Sequence, residues 1–370
     1  MPVEPPVIVC SDPRSFPYSV IRERHPKIVE RVLAGYPYAP AVRERLGRLL
    51  QEDVIQPLRA GAHDGELWAG WGDGMIGRAS WVDVPFLFAE NFFYRRLLEA
   101  VDYYGPGAWQ GIDPFGPQKR ADLPGAAELA ELDALQQLPE ARQADGLVRA
   151  AVWGNRADLG FGLVATHHDK VDELLVDDSA RLWELARGGT VIVVADNAGR
   201  ELLPDLVLID FLLRTGRAGT VELHVKPAPY FVSDAMTADV LDELGRFPAG
   251  SEVGTRLRQA LKSERLRLYT QSFYCAPLTF HDAPAELAAR FAEAELTILK
   301  GDLNYRRLVG DRLWPVTTPF AEVSGYFPGP VAALRTLKSD VVTGLAAGVE
   351  GRLPASWRTS GAFALVQVRG

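Results

Sequence analysis

Asp196, Asn197 and Asp234 carry only oxygen donors, and the chain around them predicts that they meet. Thr190 to Ala195 is a short apolar run rich in β-branched residues, which reads as a strand buried on both faces. Asp196-Asn197 stands where that strand ends, Ala198-Gly199 permits a tight turn, and Glu201 to Leu213 has apolar residues at helical spacing. Val221, Leu223 and Val225 then alternate with Glu222, His224 and Lys226 in a second strand, whose exit brings up Asp234. A strand, helix, strand unit of this length is normally a right-handed parallel crossover, so both strands end at one edge of the sheet. Adjacent strands lie about 5 Å apart. The three side chains can therefore converge on one hard or borderline divalent ion, such as Mg²⁺ or Mn²⁺, with positions left for water and a substrate phosphate. An Asp-Asn turn whose amide caps the helix explains the same residues without a metal, and spacing does not choose between the two.

Leu296 to Arg306 repeats the design: an apolar strand breaks at Gly301 into a polar loop. Lys300 and Arg306 can neutralise phosphate oxygens there and Asn304 can donate to them; taken alone, a charged turn is the simpler account. In Leu334 to Asp340, Arg335 and Lys338 stand three residues apart, which on a helix puts both cations on one face, toward an anion or toward solvent. Other chemistries lack their residues. The six histidines show no H-E-x-x-H pattern, and His167-His168 reads as a surface loop. There is no G-x-S-x-G element. Asp196 has no second aspartate two positions on, as haloacid-dehalogenase phosphatases require. Gly72 to Gly77 fits G-x-G-x-x-G but lacks a strand before it and a helix after it, so a turn-rich loop is expected.

The elements that must position these residues fall into two regions. Ser19 to Arg59 suggests two or three amphipathic helices, Phe86 to Tyr104 an aromatic-rich helix, and Ala121 to Leu147 a mostly helical stretch. After Trp153 the texture changes to short apolar runs alternating with helices. Strands are expected at 174–176, 191–195, 221–225, 266–269, 296–299 and 363–368. The fold class is thus α/β: a helical N-terminal domain (1–147) packed on a three-layer α/β/α, Rossmann-like domain (148–370), with the site at the carboxyl edge of the sheet. Forty basic against 48 acidic residues gives a net charge of −8, which argues against nucleic acid or an anionic membrane as main partner but leaves room for a local basic pocket. Two cysteines supply neither a disulfide framework nor a cysteine-rich metal site. No apolar run approaches the ~18 residues of a membrane span, and no signal sequence is evident, so the expected location is cytoplasmic, with no obligate protein partner.

Val-Ala-Asp-Asn-Ala-Gly-Arg-Glu-Leu (194–202), Phe-Val-Ser-Asp (231–234), Leu-Lys-Gly-Asp-Leu-Asn-Tyr-Arg (299–306) and Arg-Thr-Leu-Lys (335–338) together resemble the damage-control phosphatases. The Arg-Thr-x-Lys signature points to their subfamily III, sugar-phosphate phosphatases also called acidic-residue methyltransferase-like. Trp153 to Asp158 and Glu90 to Arg96 fit the same subfamily, so the resemblance covers most of the chain, although Ser19 to Pro26 matches only loosely. It implies that Asp196, Asn197 and Asp234 hold a divalent metal (Mn, Ni, Co or Mg) and act in catalysis with Lys338. It further implies that Glu201, Lys300, Asp302, Leu303, Asn304, Tyr305, Arg306, Lys338 and Asn155 line the substrate pocket, with roles also for Glu90 and Arg95. The expected activity is hydrolysis of a small phosphomonoester, such as fructose 1-phosphate or fructose 6-phosphate, with Asp234 or Asp302 protonating the leaving alkoxide. Two alternatives are an S-adenosylmethionine-dependent protein carboxyl methyltransferase, for which no glycine-rich cofactor loop follows a strand, and a non-catalytic sugar-phosphate-binding protein.

Overall fold

The computed structural model describes residues 4–125, 135–154 and 174–370. Asn155, the rest of the motif ending at Asp158, the His167-His168 pair and part of the expected 121–147 helix lie outside the described residues. A π-helical segment, Val20–Arg24, runs into α1 (His25–Gly35), followed by α2 (Pro40–Gln51) and α3 (Phe86–Ala100). The Gly72 to Gly77 stretch is a succession of turns, as expected.

All six expected strands form, and a seventh joins them. They are β1 (Leu174–Asp177), β2 (Thr190–Val194), β3 (Thr220–Val225), β4 (Leu266–Thr270), β5 (Leu296–Lys300), β6 (Val331–Thr336) and β7 (Ala364–Arg369). The sheet order is β1-β7-β6-β5-β2-β3-β4. Strands β2 to β6 are mutually parallel, whereas β7 is antiparallel to β6 and β1 is parallel to β7. From β2 the chain moves outward through β3 to β4, then crosses back to β5 and moves outward the other way. Strands β2 and β5 therefore flank a topological switch point, where open α/β sheets leave a crevice beyond the strand ends.

Strand β2 shows how the sheet is clamped between two apolar layers. Its side chains alternate across the pleat. Val191 and Val193 meet α4 (Glu140–Trp153), α5 (Leu202–Arg214), α6 (Thr237–Arg246) and α7 (Glu252–Lys262), through residues such as Leu147, Leu206, Val240 and Leu257. Ile192 and Val194 share a core with the N-terminal helices, through Ile28, Leu46 and Phe92, and with α8 (Ala285–Glu293) and α9 (Gly301–Val309). The N-terminal helices thus form part of one covering layer. The boundary expected between 147 and 148 falls inside α4, whose apolar face covers the sheet.

Two helices are buried almost all round, as expected of elements sealed on every side. In α5 every residue from Leu202 to Leu213 is buried, so its acids need internal partners: Asp205 pairs with Lys300 at 2.7 Å and Asp210 with Arg256 at 2.7 Å. In α3 the buried Glu90 meets Arg306 at 2.6 Å.

Candidate active site

Beyond Val194 the end of β2 bends against the exit of β3. Ala195 N–H donates to the His224 carbonyl at 3.0 Å. Two residues on, Asn197 faces Asp234 in a short antiparallel bridge, with Ala198 N–H on the Ser233 carbonyl at 2.7 Å and Ala235 N–H on the Asp196 carbonyl at 2.8 Å. The bridge sets Asp196, Asn197 and Asp234 around one cavity of about 220 Å³. Ser233 Oγ donates to Asn197 Oδ1 at 2.7 Å, and Asn197 Nδ2 donates to Asp196 Oδ2 at 3.2 Å, which fixes the carboxamide. Reaching this arrangement forces Phe231 to φ 44° and Val232 to φ 71°. For a β-branched residue the left-handed region is a true outlier, costing on the order of 1–3 kcal/mol.

Across the crevice the end of β5 yields to Asp196. Gly301 has φ +83°, and a Cβ there would stand 1.9 Å from Asp196 Oδ2. Only a glycine lets the carboxylate lie over this backbone.

The acids here are crowded, with Asp234 buried and Asp196 half-buried. Burial pushes the Asp196 carboxyl well above the usual carboxylate range, and the charges of Glu201 and Asp234 add to the rise while Lys338 and Lys300 oppose it. Burial likewise raises Asp234, against the pull of Lys226 and Lys119. Lys226 Nζ pairs with Asp234 Oδ2 at 3.3 Å. Among the described residues, no three or more His, Cys, Asp or Glu side chains are gathered to hold a metal. The donor set is instead two carboxylates and a carboxamide, all oxygen donors. A hard divalent cation fits: it relieves the repulsion between the acids and leaves most of its coordination sphere to water and ligand.

The remaining expected residues divide. Asp302, Leu303, Arg306 and Lys338 line the cavity with the three donors. Lys338 Nζ lies 3.6 Å from Glu201 Oε1 and keeps 39% of its side chain exposed, so its charge is available to a ligand. Asp302 Oδ1 accepts from Arg335 Nε at 2.8 Å, Lys338 N–H at 3.2 Å and Ser339 Oγ at 3.2 Å. Burial alone would raise its carboxyl, but Arg335 and Arg306 hold it below the usual range, so Asp302 stays ionised and is a poor proton donor. Arg306 borders the cavity with its charge already matched by Glu90 and Asp311.

Three side chains expected at the substrate pocket are committed elsewhere. Lys300 is buried, paired with Asp205 and donating to the Ala151 carbonyl. Asn304 Nδ2 donates to the Ala195 carbonyl at 3.1 Å and the Lys300 carbonyl at 2.8 Å, tying the ends of β2 and β5 together. Tyr305 is buried with its hydroxyl 2.8 Å from Thr343 Oγ1. The helix face expected for Arg335 and Lys338 is also corrected: Arg335 is a buried residue of β6, and Lys338 follows the strand's end. Sequence reasoning missed Arg24, which lines the cavity from the π-helical segment. No local pattern separated it from its charged neighbours.

Known proteins resemble the chain along most of its length. The pattern of the damage-control phosphatase ARMT1-like domain matches residues 20–353. Damage-control phosphatase ARMT1 of Danio rerio is 29% identical, over 95% of this chain and 94% of its own. Its Homo sapiens counterpart is 28% identical over the full length of both. A DUF89 family protein from Pyrococcus horikoshii, at 16% identity, shares the fold with a TM-score of 0.51 over 95% of this chain and 96% of its own.

Proposed function

The chain belongs to the ARMT1-like damage-control phosphatases, and on that premise we propose that it hydrolyses small sugar phosphates, such as fructose 1-phosphate or fructose 6-phosphate, with a divalent metal at Asp196, Asn197 and Asp234. The observation that supports the reading is the pairing of opposites in one cavity: the oxygen donors Asp196, Asn197 and Asp234 and the partly exposed ammonium of Lys338 line it together. The donors suit a cation and the ammonium a phosphate.

When bound, Mn²⁺, Ni²⁺, Co²⁺ or Mg²⁺ supplies Lewis acidity toward a phosphoryl oxygen and makes a water more acidic. Lys338 holds the phosphoryl oxygens as their charge redistributes, and Glu201 beside it limits where the ammonium can go. Asp302 is clamped by Arg335, Ser339 and the Lys338 amide, so the loop after β6 keeps one position relative to α9. Water adds its oxygen to phosphorus, the bond from phosphorus to the sugar oxygen breaks, and a proton from water completes the sugar hydroxyl. Asp302 is the weaker of the two acids named for that proton, because it is held ionised.

The test is phosphate release from a panel of sugar phosphates with each of the four metals. Chelator-sensitive release from a hexose phosphate supports the proposal. Consumption of S-adenosylmethionine with methylation of a protein carboxylate, and no phosphate released from any ester, would overturn it.

A further inference from the structure

A groove of about 460 Å³ adjoins the cavity and shares Phe16, Arg24, Phe231 and Ser233 with it. Its floor is the junction of the π-helical segment with α1. Pro26 brings no N–H to the helix, and the turn before it is wound wide, with His25 N–H on the Val20 carbonyl. Arg24, Lys27 and Arg31 line the groove from this junction, at spacings of three and four residues that keep them on one face. All three are exposed, and none makes an ion pair among the described residues. Glu23 is the one carboxylate in the lining. The opposite wall is the strained pair Phe231-Val232. Over seven residues the helix rises roughly 10 Å. A row of cations thus starts inside the catalytic cavity and leads away from it, on a protein whose net charge is −8.

We propose that Lys27 and Arg31 form a distal-anion subsite, so that the preferred substrates are sugar phosphates carrying a second phosphate at the far end from the one hydrolysed. This rests on the phosphatase reading above. With one phosphate at Lys338, the second reaches past Arg24 into the groove, where Lys27 and Arg31 attract it and Glu23 is outnumbered. Attraction between exposed charges adds ground-state binding, which moves KM, and leaves the chemistry at phosphorus unchanged.

The test compares a hexose bisphosphate with the corresponding hexose monophosphate, using the full chain and K27E/R31E, with K27Q/R31Q as the milder variant. Both positions are exposed helical surface, so the variants keep the fold, which the melting temperature checks. Expected results are a lower KM for the bisphosphate in the unmodified protein and a rise of about tenfold or more in that KM for K27E/R31E. The monophosphate kcat/KM should change less than about twofold, and added salt should raise the bisphosphate KM more steeply. Equal effects on both esters, or none on either, would overturn the subsite while leaving the phosphatase reading intact. No release from either ester by the unmodified protein with any metal would instead overturn the phosphatase reading.

Discussion

Lys338 and Lys300 have the same side chain in opposite situations. Lys338 is partly exposed at the cavity beside Glu201, so Lys338→Ala should lower kcat/KM for a hexose phosphate by on the order of 10²-fold with little change in melting temperature. Lys300 sits in the core against Asp205, so Lys300→Met strands a buried carboxylate and should cost about 3–5 kcal/mol in urea unfolding, with Asp205→Leu added restoring much of it. A loss of activity in Lys300→Met without loss of stability would contradict this assignment. Asp196→Ala and Asp234→Ala should each abolish divalent-ion binding by calorimetry, together with phosphate release, while circular dichroism stays native. Retained metal-dependent turnover would remove the residue from the ligand set. The sequence made Lys300 look like a phosphate ligand because its partner lies 95 positions away, in a helix read only as apolar. Residue type was legible; the company each side chain keeps was not.

Strands announce themselves when both faces are apolar, as in β2 and β5, or when apolar and polar residues alternate, as in β3, which is why all three were readable to within a residue or two. Strand β6 was not, because Arg335 interrupts its apolar run and, with Lys338, mimics a helix face. Its charge is tolerated because Asp302 meets it from the start of α9, with Ser339 and the Val341 carbonyl taking its remaining donors. Where β5 passes into α9, Gly301→Ala should cost both stability and activity: the new methyl collides with Asp196 and the backbone is held at φ +83°. Unchanged phosphate release in that variant would show that Asp196 is free to move aside. On α6, burial pushes Glu243 up to about 7, and its Oε1 has no hydrogen-bond partner among the described residues. The folded state keeps a proton there that the unfolded chain has lost, so this residue withdraws stability as pH rises from about 4.5 through 7. Glu243→Gln should therefore raise the melting temperature at pH 8 and change it little at pH 4.5; the reverse order would refute the burial argument.

At the scale of the whole molecule, the α/β class and the convergence of the candidate residues at the strand ends were legible, whereas the sharing of one core by the N-terminal helices and the sheet was not. Composition changes at about residue 150, but packing does not respect that change: Tyr230 hydroxyl donates to the Asn91 carbonyl at 2.9 Å, and Lys119 pairs with Asp239 at 2.8 Å. The chain should accordingly melt in a single calorimetric transition. Residues 148–370 expressed alone should fail to give a folded protein; two separate transitions would argue for independent domains. Strand β1 stands at the sheet edge, and its neighbour β7 lies about 190 residues further along the chain. At translation rates of roughly 5–20 residues per second, β1 waits on the order of ten seconds or more for its neighbour. Synthesis of β7 therefore decides when β1 is paired, and the nascent chain carries an unpaired, partly apolar segment until then. Its biogenesis should depend on holdase chaperones more than the compactness of the finished protein suggests.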